Sequence, residues 1–398
     1  MKSTLAAISV LSATMLPAHE ATALEADWSF SGFATLGIVS TRAEHARFLR
    51  VGINAPDKRN PNAGIDSVLG LQANVRLGAH NAAVLQVLAR ETPRGDHPPR
   101  IRLAFVSHQL TPELTARVGR MRIPFFMLSD SIDINYSHPW VRPPVELYGL
   151  NPFSDLDGVD LLYRSRLGGL DVEVHPYLGR SSISVLGGGR ARLREMGGVN
   201  LTLARGDLSI SLGHAAARLG LQRRSAALQT LLDLPPAVPP ELRARLSGND
   251  THASFSSIGF QWDDGAWLMI GEVARTKANR YNNSAHAWSL TAGRRLGSLT
   301  PYVTVSRSRQ DEPIFHSDVA ARDPRLTFLN RSRNQAQESV SAGMRWDFSR
   351  SAALKFEYTR IHTDREAWGS FAPTRNAFTT RMGDRRVNLL SLSVDVVF

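Results

Sequence analysis

Apolar and polar residues alternate along most of this chain in segments of about ten residues. In the segment from Val68 to Gly78, one face is apolar, with Leu69, Leu71, Ala73, Val75 and Leu77. The other face is polar. A period of two is typical of a β-strand whose two faces meet different environments. This pattern constrains the chain to an all-β fold before any other feature is considered.

Sixteen such segments follow one another, at 28–40, 68–78, 82–90, 101–109, 113–123, 158–165, 170–179, 194–204, 208–219, 252–262, 266–276, 286–296, 299–309, 338–348, 352–362 and 387–398. The turns after even-numbered segments are short, and the connections after odd-numbered segments are long. A soluble β-sandwich has no reason to separate loop lengths in this way, whereas transmembrane barrels do. The sequence therefore predicts a transmembrane antiparallel β-barrel of about 16 strands, with the first strand pairing with the last.

The first residues are typical of a secretory signal. Lys2 supplies a positive charge, Leu5 to Leu16 form an apolar stretch too short to span a bilayer, and Ala21 and Ala23 offer a cleavage site. We therefore expect a cleaved signal peptide over residues 1–23, a barrel domain over residues 24–398 and export to the cell outer membrane.

The net charge is +11, and the chain contains no cysteine. A net positive charge of this size is typical of proteins that bind nucleic acid or an anionic surface. Export argues against a nucleic-acid partner, and no metal-binding spacing or cofactor motif is present. Two interpretations of the charge remain open. The arginines either reflect overall composition and solvated loops, or they line an electropositive lumen.

The last predicted strand alternates apolar and polar residues up to Phe398. This pattern resembles the terminal β-signal of outer-membrane proteins, whose last aromatic residue is read by the barrel assembly machinery. An aromatic residue at this place also suits the girdle at a membrane interface. We therefore predict that Phe398 is an assembly signal.

Energetics predicts which face of each strand carries arginine. An arginine that faces lipid at the middle of the bilayer costs roughly 2–4 kcal/mol. Arg345 shares its face with serines and opposes a face of Val, Ala, Met, Trp and Phe, so we expect it in the lumen. The same argument places six further basic residues on the lumen side, namely Arg76, Arg90, Arg102, Arg117, Arg307 and Lys355.

The connection from Pro124 to Asp157 is long and rich in aromatic residues and prolines, and such a loop is not expected to hang free in water. With sixteen predicted strands, this long connection after the fifth strand and a terminal Phe, the chain resembles the Gram-negative outer-membrane porin superfamily. In that family the third external loop folds inward to narrow the pore. The resemblance implies a constriction loop with Asp130, Asp133, Tyr136 and Glu146, facing a pore wall with Arg76, Arg90, Arg102, Arg117 and Arg345. The loop departs from the acidic loop motif most common in that family, and it also carries Arg142.

The expected function is passive diffusion of small hydrophilic solutes, with an anion preference if the wall is positive. A substrate-specific outer-membrane channel is the alternative within the same class. The resemblance implies a homotrimer that contacts outer-membrane lipid and lipopolysaccharide, with no cofactor. Two other classes stay open, a lipid hydrolase and a plugged structural or adhesive barrel. An enzyme is not the expectation, because no G-x-S-x-G motif is present.

Overall fold

The structure is a computed structural model of the chain. It describes residues 26–57, 59–185, 189–222, 251–278, 284–321, 323–376 and 380–398. The signal peptide predicted over residues 1–23 lies outside these ranges. The segment from Ala226 to Leu246, whose sequence has helical character and which we predict to belong to an external loop, also lies outside these ranges.

The described chain forms a closed barrel of sixteen antiparallel strands. The strands are β1 Ala26–Arg42, β3 Val68–Leu77, β4 Asn81–Arg90, β5 Arg100–Gln109, β6 Leu114–Arg122, β7 Asp155–Leu167, β8 Leu170–Val185, β9 Gly189–Arg205, β10 Leu208–Gln222, β11 Thr251–Asp263, β12 Trp267–Ala278, β13 Ser284–Arg294, β14 Leu299–Glu312, β15 Gln337–Ser349, β16 Ala352–Thr363 and β18 Arg386–Val397. Each strand pairs with its neighbour in sequence order, and β1 closes the ring against β18.

The predicted fold class and all sixteen predicted strands are confirmed, although most strands extend a few residues further than the alternation indicates. Small elements in the long connections were not predicted. Strands β2 (Ala46–Phe48) and β17 (Phe371–Pro373) form a separate two-stranded sheet. Short helices are α1 Val145–Tyr148, α2 Ser317–Ala320 and α3 Pro324–Arg333, and Asp323 caps the N-terminus of α3.

The barrel wall is apolar outside and polar inside. On β1, Leu36 faces outward and is 72% exposed, whereas its neighbour Thr35 is buried and donates a hydrogen bond to Asp395 on β18. This arrangement is the reverse of a soluble sandwich, and it matches a wall that meets hydrocarbon on one side and a hydrated lumen on the other. No helix among the described residues is long and apolar enough to cross a membrane.

Phe398 continues the outward face of β18 and is 66% exposed. Its backbone makes two hydrogen bonds with Gly32 on β1, so it takes part in closing the barrel. The Phe398 ring lies where a Cβ atom on residue 32 would stand, with the nearest ring carbon only 2.3 Å away. Glycine at position 32 therefore gives the aromatic ring its place against the wall.

Candidate pore constriction

Residues 123–154, between β6 and β7, form a segment that we call the inward loop. It enters the barrel and follows the inner wall, as the sequence predicts. Ser257 on β11 donates to the backbone oxygen of Phe125 at 2.7 Å, and Glu272 on β12 accepts from the backbone N–H of Met127 at 2.9 Å. An apolar cluster with Phe125, Phe126 and Phe255 fills the space between this part of the loop and the wall.

The middle of the inward loop is held by β13 to β16. The indole N–H of Trp140 donates to Thr291 at 2.9 Å and to Thr304 at 3.1 Å. Lys355 is fully buried; its ammonium group donates to the backbone oxygens of Asn135 and Trp140 and pairs with Asp395. Because these bonds come from several strands, the loop is fixed in place and is not a free lid.

Arg142 fixes the loop against β18 and against the connection that precedes β3. Its guanidinium group makes two hydrogen bonds with Asp66, at 2.7 and 2.6 Å, and a third with Ser391 on β18. Both members of the Arg142–Asp66 pair are buried, and burial with full pairing is the condition under which such a pair holds one geometry. Arg142 is thus an anchor of the inward loop.

Three arginines surround a single loop carboxylate, Asp133. Its oxygens accept from Arg90 at 2.7 Å, from Arg102 at 3.1 Å and from Arg122 at 2.8 Å. Burial alone would raise the pKa of the Asp133 carboxyl, but the charges of these arginines hold it well below its ordinary range. Arg102 also pairs with Asp155 at 2.6 Å. Asp133 therefore stays ionised, and its cluster carries more positive than negative charge.

A cavity of about 680 Å³ opens above this cluster, between the inward loop and the ends of β4, β5 and β6. Its lining includes eight arginines, Arg50, Arg90, Arg94, Arg100, Arg102, Arg120, Arg122 and Arg190. Among the described residues, three carboxylates line it, those of Glu91, Asp133 and Asp155. The excess of cations makes the cavity electropositive.

Some guanidinium nitrogens of the cluster are buried without a hydrogen-bond acceptor among the described residues. They are Nη2 of Arg90 and both Nε and Nη1 of Arg122. A buried charged donor without an acceptor is costly. These nitrogens therefore keep positive charge beside the cavity that no described carboxylate meets directly.

The predicted loop residues divide into different environments. Asp133 lies at the centre of the arginine cluster, and Asp130 is exposed. Glu146 is buried between the loop and the wall, where it accepts from Ser306 and Gln337, so it anchors the loop and does not face the cavity. Tyr136 reaches the turn between β15 and β16, where its hydroxyl donates to the backbone oxygen of Arg350.

The predicted wall arginines divide in the same way. Arg90 and Arg102 meet at Asp133. Arg76 pairs with Asp27 near the short-turn end of the barrel, far along β3 from that cluster. Arg117 makes two hydrogen bonds with Asp160, which neutralise its charge. Arg345 stacks on the Tyr136 ring and donates to backbone oxygens of the inward loop, so it is a loop anchor.

Lys355 faces inward as expected, but the lumen position expected for Arg307 is wrong. Arg307 lies on the outward face of β14 together with Val303 and Val305, and it pairs with Glu338 at 3.6 Å. It stands near the end of the strand, where a long side chain can reach the membrane interface, so the mid-bilayer cost does not apply.

Arg122 was not predicted. Strict alternation from Arg117 would place Arg122 on the opposite face, but Gly119 lies between them with φ +133°, in a conformation that favours glycine. Beyond that point the pattern of burial no longer alternates, and both Met121 and Arg122 are buried. The glycine was the one signal in the sequence that could have shown this change.

Comparisons with known proteins agree with the fold. No family model and no curated protein matches the sequence. Among solved structures, the chain is similar to OmpT, an outer-membrane protein of Vibrio cholerae (12% identity, TM-score 0.55, 94% of this chain and 98% of that chain). It is also similar to an anion-selective porin from Comamonas acidovorans (12%, 0.55, 94% and 100%) and to the outer-membrane channel DcaP of Acinetobacter baumannii (13%, 0.55, 94% and 97%).

The class that these features define is the sixteen-stranded porin-like β-barrel with an inward third loop. At these identities, the likeness shows the fold alone. The solute and the selectivity of this chain must be inferred from its own residues.

Proposed function

We propose that this protein is a porin-like channel in the outer membrane of a Gram-negative bacterium, through which small hydrophilic solutes diffuse passively, with a preference for anions. The observation that carries the anion preference is the cavity at Asp133, with eight arginines and three carboxylates in its lining. A fixed positive potential at a narrow place attracts anions and repels cations.

The apolar outer wall supports the location. Closure of β1 against β18 leaves no open sheet edge, which a bilayer requires. The anion-selective porin and the outer-membrane channel among the similar structures support the same class of function. One structure of the V. cholerae OmpT is a trimer form, which supports the proposal that this chain also forms a homotrimer.

Ion-selectivity measurement tests the proposal directly. The full chain is reconstituted into planar bilayers, and the reversal potential is recorded in a gradient of potassium chloride. We expect single-channel currents and a reversal potential shifted from zero toward the equilibrium potential of chloride. Arg90→Gln with Arg122→Gln removes two charges beside Asp133 and should move the reversal potential toward the potassium side. A folded barrel that carries no current, or that prefers cations, would contradict the proposal.

One geometric feature favours the lipid-hydrolase alternative. On the outer face, Nδ1 of His214 lies 2.8 Å from the hydroxyl oxygen of Ser256. No carboxylate orients the imidazole of His214 in the described part of the chain, and such a third group is part of the usual arrangement. A phospholipase assay in detergent decides between the two. Activity that Ser256→Ala abolishes would place the enzyme above the channel.

A further inference from the structure

The inward loop presents an apolar side to the arginine-lined cavity. The loop and the neighbouring strand β8 contribute apolar side chains to the lining, among them Phe126, Ile132, Tyr148, Phe153 and Ile183. We call these five residues the apolar side. Asp133 is the one charged residue that the inward loop itself contributes. The cavity therefore has guanidinium groups toward β4, β5 and β6 and a largely apolar surface toward the loop.

The apolar side is held rigidly and contains aromatic rings. The centroid of the Phe126 ring lies 4.8 Å from that of Tyr148 and 4.9 Å from that of Phe255, which is the spacing of packed aromatic pairs. Ile132 and Ile183 pack against the same apolar cluster but are only half-buried. A solute in the cavity can therefore touch these two side chains, with the fixed rings behind and beside them.

The charged side of the cavity has hydrogen-bond donors to spare. The side chain of Arg122 is 7% exposed, and its Nε and Nη1 have no acceptor among the described residues, as is also true of Nη2 of Arg90. Both arginines line the cavity and bind the same carboxylate, that of Asp133, through their other nitrogens. A carboxylate in the cavity could accept from these free nitrogens, because a guanidinium group matches its two oxygens.

We propose that the cavity selects carboxylate solutes with an aromatic body, whose carboxylate meets Arg90 and Arg122 and whose ring lies against Ile132, Ile183 and the rings of the apolar side. A small hydrated anion gains only from the positive charge. An aromatic carboxylate gains from burial of its ring as well, and guanidinium groups also stack on aromatic faces. The inference rests on the anion preference within the proposed function and names the class of solute.

Three probes of similar simplicity test the proposal. The full chain in detergent is titrated calorimetrically at neutral pH with benzoate, with acetate and with benzyl alcohol, against a detergent blank. Acetate has the charge without the ring, and benzyl alcohol has the ring without the charge. We expect benzoate to bind roughly tenfold more tightly than acetate, since burying about 60 Å² of ring surface is worth that factor. Benzyl alcohol should bind more weakly than benzoate by a similar factor.

Variants separate the two sides of the cavity. Ile132→Thr with Ile183→Thr should remove most of the advantage of benzoate and leave the binding of acetate as it is. Arg122→Gln should weaken benzoate and acetate alike, by roughly tenfold, because each loses a hydrogen bond to a charged donor. Ile183→Thr alone and Arg90→Gln are the second variants in case the first ones fail to fold.

Val185→Thr is the matched control. Val185 lies two residues beyond Ile183 on β8 and packs against the same apolar cluster, but it does not line the cavity. This variant should bind benzoate as the wild type does. Equal binding of benzoate and acetate, or of benzoate and benzyl alcohol, would overturn the proposal. So would a loss of benzoate binding in Val185→Thr as large as that in the Ile132 and Ile183 variant.

Currents and reversal potentials of the same proteins are recorded in parallel, so that two kinds of failure are distinguished. A barrel that conducts no current but binds benzoate in the expected order would contradict the channel and support the site. A chloride-preferring channel that binds benzoate no better than acetate would contradict the site alone.

Discussion

Two arcs of the same barrel differ on both of their faces. Along β9 to β18, the inward loop covers much of the inner wall, and the outer wall carries exposed basic side chains near its long-loop end, such as Arg218, Arg275 and Lys277. Along β3 to β6, the inner wall borders the arginine-lined cavity, and the outer wall is largely aliphatic, with Leu71, Val106 and Val118 exposed. The difference separates an arc that holds the inward loop from an arc that borders the cavity, which is the path that we propose for solute.

Among the residues of β9 to β18 that hold the inward loop, Lys355 should be the one whose substitution lowers stability most. Lys355→Met removes the bonds to the loop and leaves Asp395 buried without its partner, which typically costs 3–5 kcal/mol. We expect a large fall in the unfolding midpoint in detergent, together with noisier single-channel currents.

A double variant provides the control for Lys355. Adding Asp395→Asn should restore much of the lost stability, because an amide can still accept from Thr35 without an uncompensated charge. If Lys355→Met alone is as stable as the wild type, then the wall does not hold the inward loop through this ammonium group.

The next largest expected effect is a pH dependence of the protein's stability, which arises in the inward loop held by β9 to β18. Burial lowers the pKa of His138, which lies in the inward loop, from 6.5 to about 4. The unfolded chain therefore binds the proton more readily than the folded chain between these values. The stability from neutral His138 is present above about pH 6.5 and is lost as the pH falls toward 4, by at most about 3 kcal/mol.

Unfolding midpoints between pH 4 and 8 check this expectation. His138→Gln should flatten the fall on the acid side, whereas His108→Gln, which alters an exposed histidine, should leave it as in the wild type. Equal slopes in the wild type and in His138→Gln would show that another group causes the acid sensitivity.

Two carboxylates of the inward loop test whether the arginine cluster beside β3 to β6 sets the ion selectivity. Asp133→Asn removes the negative charge at the centre of the arginine cluster, so the anion preference should increase, and the reversal potential should move further to the chloride side. Asp130→Asn, three residues away and exposed, should have little effect. A shift of equal size in both variants would mean that the loop acts through its overall charge and not through this cluster.

The sequence predicted the strands, the closure and the inward loop, because a period of two and the loop lengths are local patterns. At the ends of strands, the sequence was a poorer guide to which residues face the lumen. Arg307 can face outward there, and Arg122 turns inward beyond Gly119. It could not separate cavity residues from anchors, because Glu146 and Asp133 differ only in what the folded wall places beside them.

The smallest expected effect concerns Arg117, which the sequence placed in the same set as Arg90. Its guanidinium group donates two hydrogen bonds to the carboxylate of Asp160, so replacing Arg117 and Asp160 together by Gln and Asn changes no net charge. We expect a reversal potential equal to that of the wild type and a small change in stability, because replacing both partners of a buried ion pair is often nearly neutral. Arg90→Gln with Arg122→Gln is the positive control in the same recording. The reversal potential of the Arg117 and Asp160 variant could instead shift as much as that of the control. That result would mean that the solute path continues along β6 toward the short-turn end. Selectivity would then be set along all of β3 to β6 and not at Asp133 alone.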